Sequence, residues 1–376
     1  MNASLLRCQQ LSPNTVTLSL AVLLCFGSIC ALFLNALLGL LLVRCSLVPP
    51  NVRLLLLSAS AGHIATSFYH FFTLTNVSIA TFFGRFGKFL YDARFCALIS
   101  AEFLIASAAS TVCVAAVGLE RAVAYFCSCY VDTEQSSKAI KTIVAIAWVF
   151  PAAACLCGAL ISPVQHICFC SAMTTMTDAH AKFWAALYVS VTLAGLILVL
   201  GVLHFSNKHY RDFGINTAQS MSLANRFHLW NCIQITRALL PTSLMQSAFV
   251  PVTAVVWLYL KPLVQSQTDL AAVNIYLASH FLPLSYMLTY PLVILSRQRS
   301  LQRTFQHCYP TLALVLESLC LFRPKSRRSA QRARSEVPSA VVCFHAQPAE
   351  AQQIVEHIWT RKSSQKRSKE SSATSV

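Results

Sequence analysis

Seven long apolar runs, most without a charged side chain, govern what this chain can fold into. They fall at Val16–Val43, Leu54–Leu74, Phe95–Leu119, Ile140–Ile161, Phe183–Phe205, Ala238–Leu260 and Ala272–Leu295. A helix rising 1.5 Å per residue needs roughly 20 apolar residues to cross the hydrocarbon of a bilayer. A soluble domain would have to coat such runs with charge, at about 25% of its residues. Here charged residues make up 11% against 56% hydrophobic, so lipid is the expected solvent for much of the chain. A membrane barrel would alternate apolar and polar residues along each strand, and these runs are continuous. The predicted fold is therefore an all-α membrane protein, a seven-transmembrane helix bundle.

The second run carries His63 and His70, the sixth Pro241 and Pro251, and the seventh Pro283 and Pro291. Proline is tolerated in a span where neighbouring groups satisfy the freed backbone. Only Arg7 is basic ahead of the first run, and that run far exceeds the roughly 7–15 residues of a secretory signal core. It reads as a retained span. The expected organisation is an extracellular amino end over 1–15 and a bundle over 16–295. A juxtamembrane amphipathic segment over 296–322 and a disordered basic cytoplasmic tail over 323–376 follow.

Orientation follows from lysine and arginine, which concentrate on the cytoplasmic side of membrane proteins. With the amino end outside, the outer segments hold Arg7, Arg85, Lys88, Arg94, Lys182 and Lys261. The inner loops then hold Arg44, Arg53, Arg121, Lys138, Lys141, Lys208, Arg211, Arg226 and Arg237, and the tail adds a dense basic series from Arg323. Much of the +16 net charge sits outside the spans, so it reads as positive-inside bias and attraction to anionic lipid rather than nucleic-acid binding. No motif that reads nucleic acid is present. The two N-x-S/T sequons, at Asn2 and Asn76, both fall outside in this orientation. So do Cys96, at the head of the third span, and Cys168 and Cys170 in the second outer loop. An oxidising exterior favours a bridge from Cys96 to one of the latter two, the competing reading being that all three stay reduced. Most of the 16 cysteines lie inside apolar runs, where free cysteine behaves as a small hydrophobe.

Past the last span, Leu301, Phe305 and Cys308 recur at four and three residues and mark an interfacial amphipathic helix. Cys308 and Cys320 are candidate palmitoylation sites. No internal repeat of the transporter kind is evident.

Glu102 is the only acidic residue deep in a span, roughly 10 Å from the outer end of the third helix. An intramembrane carboxylate is expected to face the bundle and find a partner. His280 lies at similar depth in the seventh run and His70 near the outer end of the second. With Tyr69 and Trp257 they form a candidate pocket for a small molecule, and the competing reading is a structural hydrogen bond around Glu102. His63, Asn35 and Tyr290 form a candidate polar core, which simple interhelical hydrogen bonding also explains. Glu120 and Arg121 close the third span at the inner face. Enzyme readings have little support: G-x-S-x-G, H-E-x-x-H, paired intramembrane aspartates and histidine boxes are all absent, and the seventh span has no lysine for retinal. No cofactor or metal is implied.

These features together resemble G-protein-coupled receptors: Cys96 atop the third span, Glu120-Arg121 at its foot, Trp148 in the fourth and Leu34-Asn35 in the first. The chain departs from the rhodopsin class where His63 stands in place of an aspartate, which puts sodium-type allostery in doubt. Thr289-Tyr290-Pro291 likewise replaces an N-P-x-x-Y, and the sixth span lacks C-W-x-P. Three stretches are more similar to the nematode serpentine chemosensory receptors of classes a, ab, b and epsilon, leaning to class epsilon. They are Glu120-Arg121-Ala122-Val123-Ala124-Tyr125-Phe126 with Tyr130 and Glu134, Ser222-Leu223-Ala224-Asn225-Arg226-Phe227 running to Arg237 and Pro241, and Tyr290-Pro291 with Arg297. The resemblance covers roughly residues 15–310. It implies a multi-pass plasma-membrane receptor for an external small molecule, coupled to a heterotrimeric G protein through Glu120, Arg121, Arg226 and Arg237. A channel or transporter subunit, or a degenerate receptor that no longer signals, are the alternatives.

Overall fold

The computed structural model describes residues 14–45, 48–83, 91–126, 134–161, 166–167, 170–215, 223–266 and 270–310. The expectations for Asn2, Arg7, Arg85, Lys88, Cys168, Cys320 and the tail fall outside them.

Helix α1, Thr15–Arg44, starts at Asn14, whose side chain accepts from the Val16 amide at 2.7 Å. That cap satisfies one of the free amides of a first turn. Helix α2, Pro50–Phe82, opens on proline, which needs no amide partner at the first helical position. A two-residue strand β1, Tyr91–Asp92, leads into α3, Ala93–Phe126. The Asp92 carboxylate accepts from the amides of Arg94 and Phe95 at 2.8 and 3.2 Å and caps that helix. Helix α4, Glu134–Ile161, is followed by strand β2, His166–Ile167, which pairs antiparallel with β1 in the register Tyr91 to Ile167. The short α5, Ala172–Thr175, precedes α6, Asp178–Ile215, and α7, Leu223–Ser266. Helices α8, Leu270–Ser279, and α9, Phe281–Arg297, form the two halves of the seventh run, and α10, Arg299–Cys308, follows.

Among the described residues, six stretches are long and apolar enough to cross a membrane: Thr15–Arg44, Ala93–Phe126, Ser137–Ala159, Asp178–His209, Cys232–Val264 and Leu270–Arg297. Helix α2 is long enough, at 33 residues, but more polar. It packs along both α1 and α3, and its buried face carries Ser58, Ser60, His63, Thr66, Ser67 and His70. The polar groups of this run therefore face the bundle and leave fewer apolar residues than a lipid-facing helix shows. Large apolar side chains point outward from the other helices, among them Phe26 and Phe33 on α1, Val149 on α4, Ile197 and Phe205 on α6, and Tyr259 on α7.

Three boundaries differ from the sequence reading. Helix α2 runs past Leu74 to Phe82, so Asn76 stands exposed on helix rather than in a loop. The seventh run breaks at His280. Pro283 has no amide to donate back to Ser279, so the α-helical ladder cannot pass through this point. The His280 amide bonds the Leu277 carbonyl instead, at 3.1 Å. Finally, α10 does more than lie on an interface. Leu301 and Phe305 are fully buried in the apolar cluster formed with α1 and α9, while Cys308 is half-buried.

Close approaches fix how α3 threads the bundle. A methyl built on Gly62 of α2 would stand 2.6 Å from the Ala106 carbonyl oxygen of α3, and one on Gly195 of α6 would stand 2.8 Å from Ala115 Cα. Small residues at such crossings let helices pack by contact where lipid supplies no hydrophobic drive. On the α4 side, the Ser58 hydroxyl accepts from Trp148 Nε1 at 2.9 Å and from the Cys113 thiol at 3.2 Å, joining α2, α3 and α4.

Candidate functional site

The half of the bundle that holds the head of α3 carries a continuous cluster of aromatic and imidazole rings. Ring centroids lie 5.0 Å apart for His70 and His280, 5.2 Å for His70 and Phe103, and 5.4 Å for Phe103 and Trp257. Tyr69 meets Phe103 at 5.4 Å, and His280 meets Trp257 at 5.5 Å and Tyr276 at 4.5 Å. These are separations at which ring pairs attract through their quadrupoles. The break at His280 gives the site its geometry. Trp257 Nε1 donates to the Ser279 hydroxyl at 3.0 Å, and that hydroxyl donates to the Tyr276 carbonyl at 2.6 Å. His280 Nδ1 lies 2.9 Å from the same carbonyl. A carbonyl only accepts, so Nδ1 carries the hydrogen and Nε2 of the neutral ring is left as an acceptor.

A small pocket opens beside the two histidines, lined by Tyr69, His70, Thr73, Cys170, Ser171 and His280 among others. Cys170 is joined to Cys96 by a disulfide with Cα atoms 5.5 Å apart, which holds the loop before α5 over the head of α3. His70 Nε2 is buried and has no hydrogen-bond partner. The site therefore combines apolar ring faces with two imidazole nitrogens, a make-up that suits a small, mostly apolar molecule fixed by a few polar contacts.

Glu102 is not part of this cluster, which corrects the expectation that it faces the bundle. It is exposed on the face of α3 that also carries Phe95 and Leu98, while Cys96, Ser100 and Phe103 turn inward. Adjacent helical residues lie about 100° apart, so the inward position belongs to Phe103. Phe103 and Tyr276 escaped the sequence reading. The buried Cys96 held the signal for Phe103, seven residues on and hence on the same face.

At the opposite end of α3, Arg121 donates Nε and a terminal nitrogen to the two oxygens of Glu120, both at 2.5 Å. Both residues are buried, so the arginine pairs with its neighbour rather than with the sixth span. Arg237 of α7 is exposed and donates to Asn207 of α6 at 2.7 Å. Arg226 lies in the first turn of α7. Between the two ends, Asn35 donates to the carbonyls of Ala31 and Met287 at 2.8 and 2.9 Å, which ties α1 to α9. His63 stacks edge-on against Tyr290 at 4.8 Å and Tyr286 at 5.4 Å.

Among known proteins, no curated sequence matches the chain. A family model described as the serpentine type 7TM GPCR receptor class ab chemoreceptor matches residues 89–312. That match covers the helices from α3 through α10, more than half of the chain. Its class is ab, where the motif residues leaned to class epsilon. The family is one of receptors, not of enzymes. The multi-pass helical bundle and the matched family agree: the chain belongs to the serpentine seven-transmembrane, G-protein-coupled-receptor-type chemoreceptors of class ab.

Proposed function

We propose that this chemoreceptor sits in the plasma membrane with its amino end outside and binds a small external molecule in the pocket beside His70 and His280. It then signals to a heterotrimeric G protein through the inner ends of α3 and α7, with the basic tail lying along anionic lipid. The observation that carries this reading is the ring cluster built on a helix break under a disulfide-tethered loop. His280 and Ser279 stand where the seventh run loses its regular hydrogen bonding, so ligand contact there bears on the α8–α9 break and, through Trp257, on α7. A ligand preferring one arrangement of these helices shifts the population toward it. At the inner face, Glu120, Arg121, Arg226 and Arg237 then form the partner surface.

The test is a small-molecule screen in cells that report G-protein activation. His280→Ala and Trp257→Ala are expected to lower the response to an active compound about tenfold or more in potency, with surface expression retained. Arg121→Ala is expected to abolish nucleotide exchange with ligand binding retained. Unchanged potency in both pocket variants would refute the pocket, and normal exchange in Arg121→Ala would refute the inner surface.

A further inference from the structure

The pocket beside the two histidines leaves part of its hydrogen bonding unmet, and that part has a definite sense. The hydroxyls on its wall are taken. That of Tyr69 lies 3.4 Å from the Ser100 hydroxyl and also bonds Thr73, and Tyr276 bonds Ser171. The Ser171 hydroxyl accepts from the Thr174 amide at 3.3 Å as well. What remains is imidazole nitrogen. His70 is 2% exposed, and its Nε2 is buried without a partner. His280 is 6% exposed and gives its Nδ1 hydrogen to the Tyr276 carbonyl at 2.9 Å, so its Nε2 presents a lone pair. The two rings stand edge to face, with centroids 5.0 Å apart and planes at 86°. At that separation one oxygen atom can meet both rings at ordinary hydrogen-bond lengths of about 2.8–3.0 Å.

Charge narrows the occupant further. No Asp, Glu, Lys or Arg is among the described residues lining the pocket, and Glu102 turns away from the bundle on α3. A cation or an anion bound here would be a buried charge without a partner, which costs far more than a buried neutral group. By the same argument both imidazoles are neutral, with one N–H and one lone pair each. The His280 Nε2 is committed as an acceptor. No hydrogen bond fixes the tautomer of His70, so its Nε2 is free to carry the hydrogen and donate it. The unmet pair is therefore one acceptor and one donor lining one space. An ether or ketone oxygen answers only the donor. A hydroxyl answers both, its hydrogen going to His280 and its lone pair to the His70 N–H.

We propose that this receptor selects neutral, largely apolar compounds anchored by one hydroxyl, alcohols or phenols, with that hydroxyl set between His70 and His280. The inference rests on the pocket proposed above and adds the chemical class that the pocket takes. Leu74, Val77 and Leu277 line the same space and receive the apolar part of the molecule. The ligand hydroxyl displaces a water, which also donates and accepts at one oxygen, and it reproduces that water's bonds to the two rings.

The test uses the full-length receptor in lipid nanodiscs, with thermal unfolding followed against ligand concentration. The probes are linear alcohols from butanol to decanol and alkylated phenols, each paired with its methyl ether and, for secondary alcohols, with the ketone of the same skeleton. The expected result is a saturable rise in Tm with hydroxyl compounds, their paired ethers and ketones needing about ten- to a hundredfold higher concentration for the same shift. His70→Phe and His280→Phe, which keep a ring and remove the nitrogens, are each expected to erase the preference within a pair. Val77→Phe fills the pocket without altering either imidazole and should weaken both members of a pair alike. If the histidine variants do not fold, the ratio within pairs for the unaltered receptor decides. Equal potency within pairs, still weakened by Val77→Phe, would overturn the hydroxyl assignment and leave the pocket standing. So would a full hydroxyl preference in both histidine variants. Shifts indifferent to Val77→Phe would overturn the pocket itself, and the absence of any shift with the hydroxyl compounds would mean a structural water only and overturn the proposal.

Discussion

Replacing Gly62 by alanine tests the packing that places α2, and with it His63 and His70, against α3. The added methyl would stand 2.6 Å from the Ala106 carbonyl oxygen and 2.9 Å from Ser110 Cβ. An ordinary carbon–oxygen contact is about 3.3–3.6 Å, so the two backbones must part by roughly 0.7 Å. The obstacle is a carbonyl within a helix, which cannot rotate aside as a side chain can. Overpacking of this kind costs about 1–3 kcal/mol. Gly39 and Gly201 have nothing within 4 Å of such a methyl. Alanine there should gain up to about 1 kcal/mol from helix propensity. The expected outcome is a Tm for Gly62→Ala about 3–8 °C below that of Gly39→Ala or Gly201→Ala. The assay is thermal unfolding of the detergent-solubilised, fluorescently tagged receptor, read by size-exclusion chromatography. Gly195→Ala, 2.8 Å from both Ala115 Cα and Cβ, should behave like Gly62→Ala. Gly27→Ala should be milder, because its nearest atom is the movable end of Leu284. Equal Tm values for Gly62→Ala and Gly39→Ala would refute the close approach of α2 and α3.

Ser58→Ala leaves both Trp148 Nε1 and the Cys113 thiol without their acceptor and should destabilise by about 1–3 kcal/mol, read in the same thermal assay. Cys96→Ser and Cys170→Ser should each reduce ligand response, and the double variant should be no worse than either single, since both remove one bond. Dose–response in reporter cells decides that. Lys261 of α7 is buried and pairs with the exposed Asp178 of α6. Asp178→Asn should therefore lower Tm by leaving the ammonium without its partner, whereas Lys261→Met should be better tolerated.

The extent of the bundle was legible because apolar length is a property of the sequence alone. Six of the seven runs correspond to stretches apolar enough to span, and the second differs because its polar face turns inward. What escaped was helical phase. The cost of a carboxylate in lipid predicts an inward Glu102, but the phase set by Cys96 puts Phe103 inward and Glu102 outward. Only one step of helical rotation separates the two readings, and a cost argument does not fix rotation. The sequence groups His70 and His280 only as members of one candidate pocket. Its edge-on contact depends on the break before Pro283, which the sequence announced as a proline in a span and not as a turn. The burial of Leu301 and Phe305 likewise needed the carboxyl-terminal ends of α1 and α9 in place before the amphipathic face could find protein.

The central claim is an odd number of spans, with the outer pocket open to the cell exterior and the basic tail on the side of the G protein. Epitope tags at the two ends, probed by antibody on intact and then permeabilised cells, test it directly. The amino-terminal tag should stain without permeabilisation and the carboxyl-terminal tag only after it. Staining of both tags on intact cells, or of neither, would contradict the account.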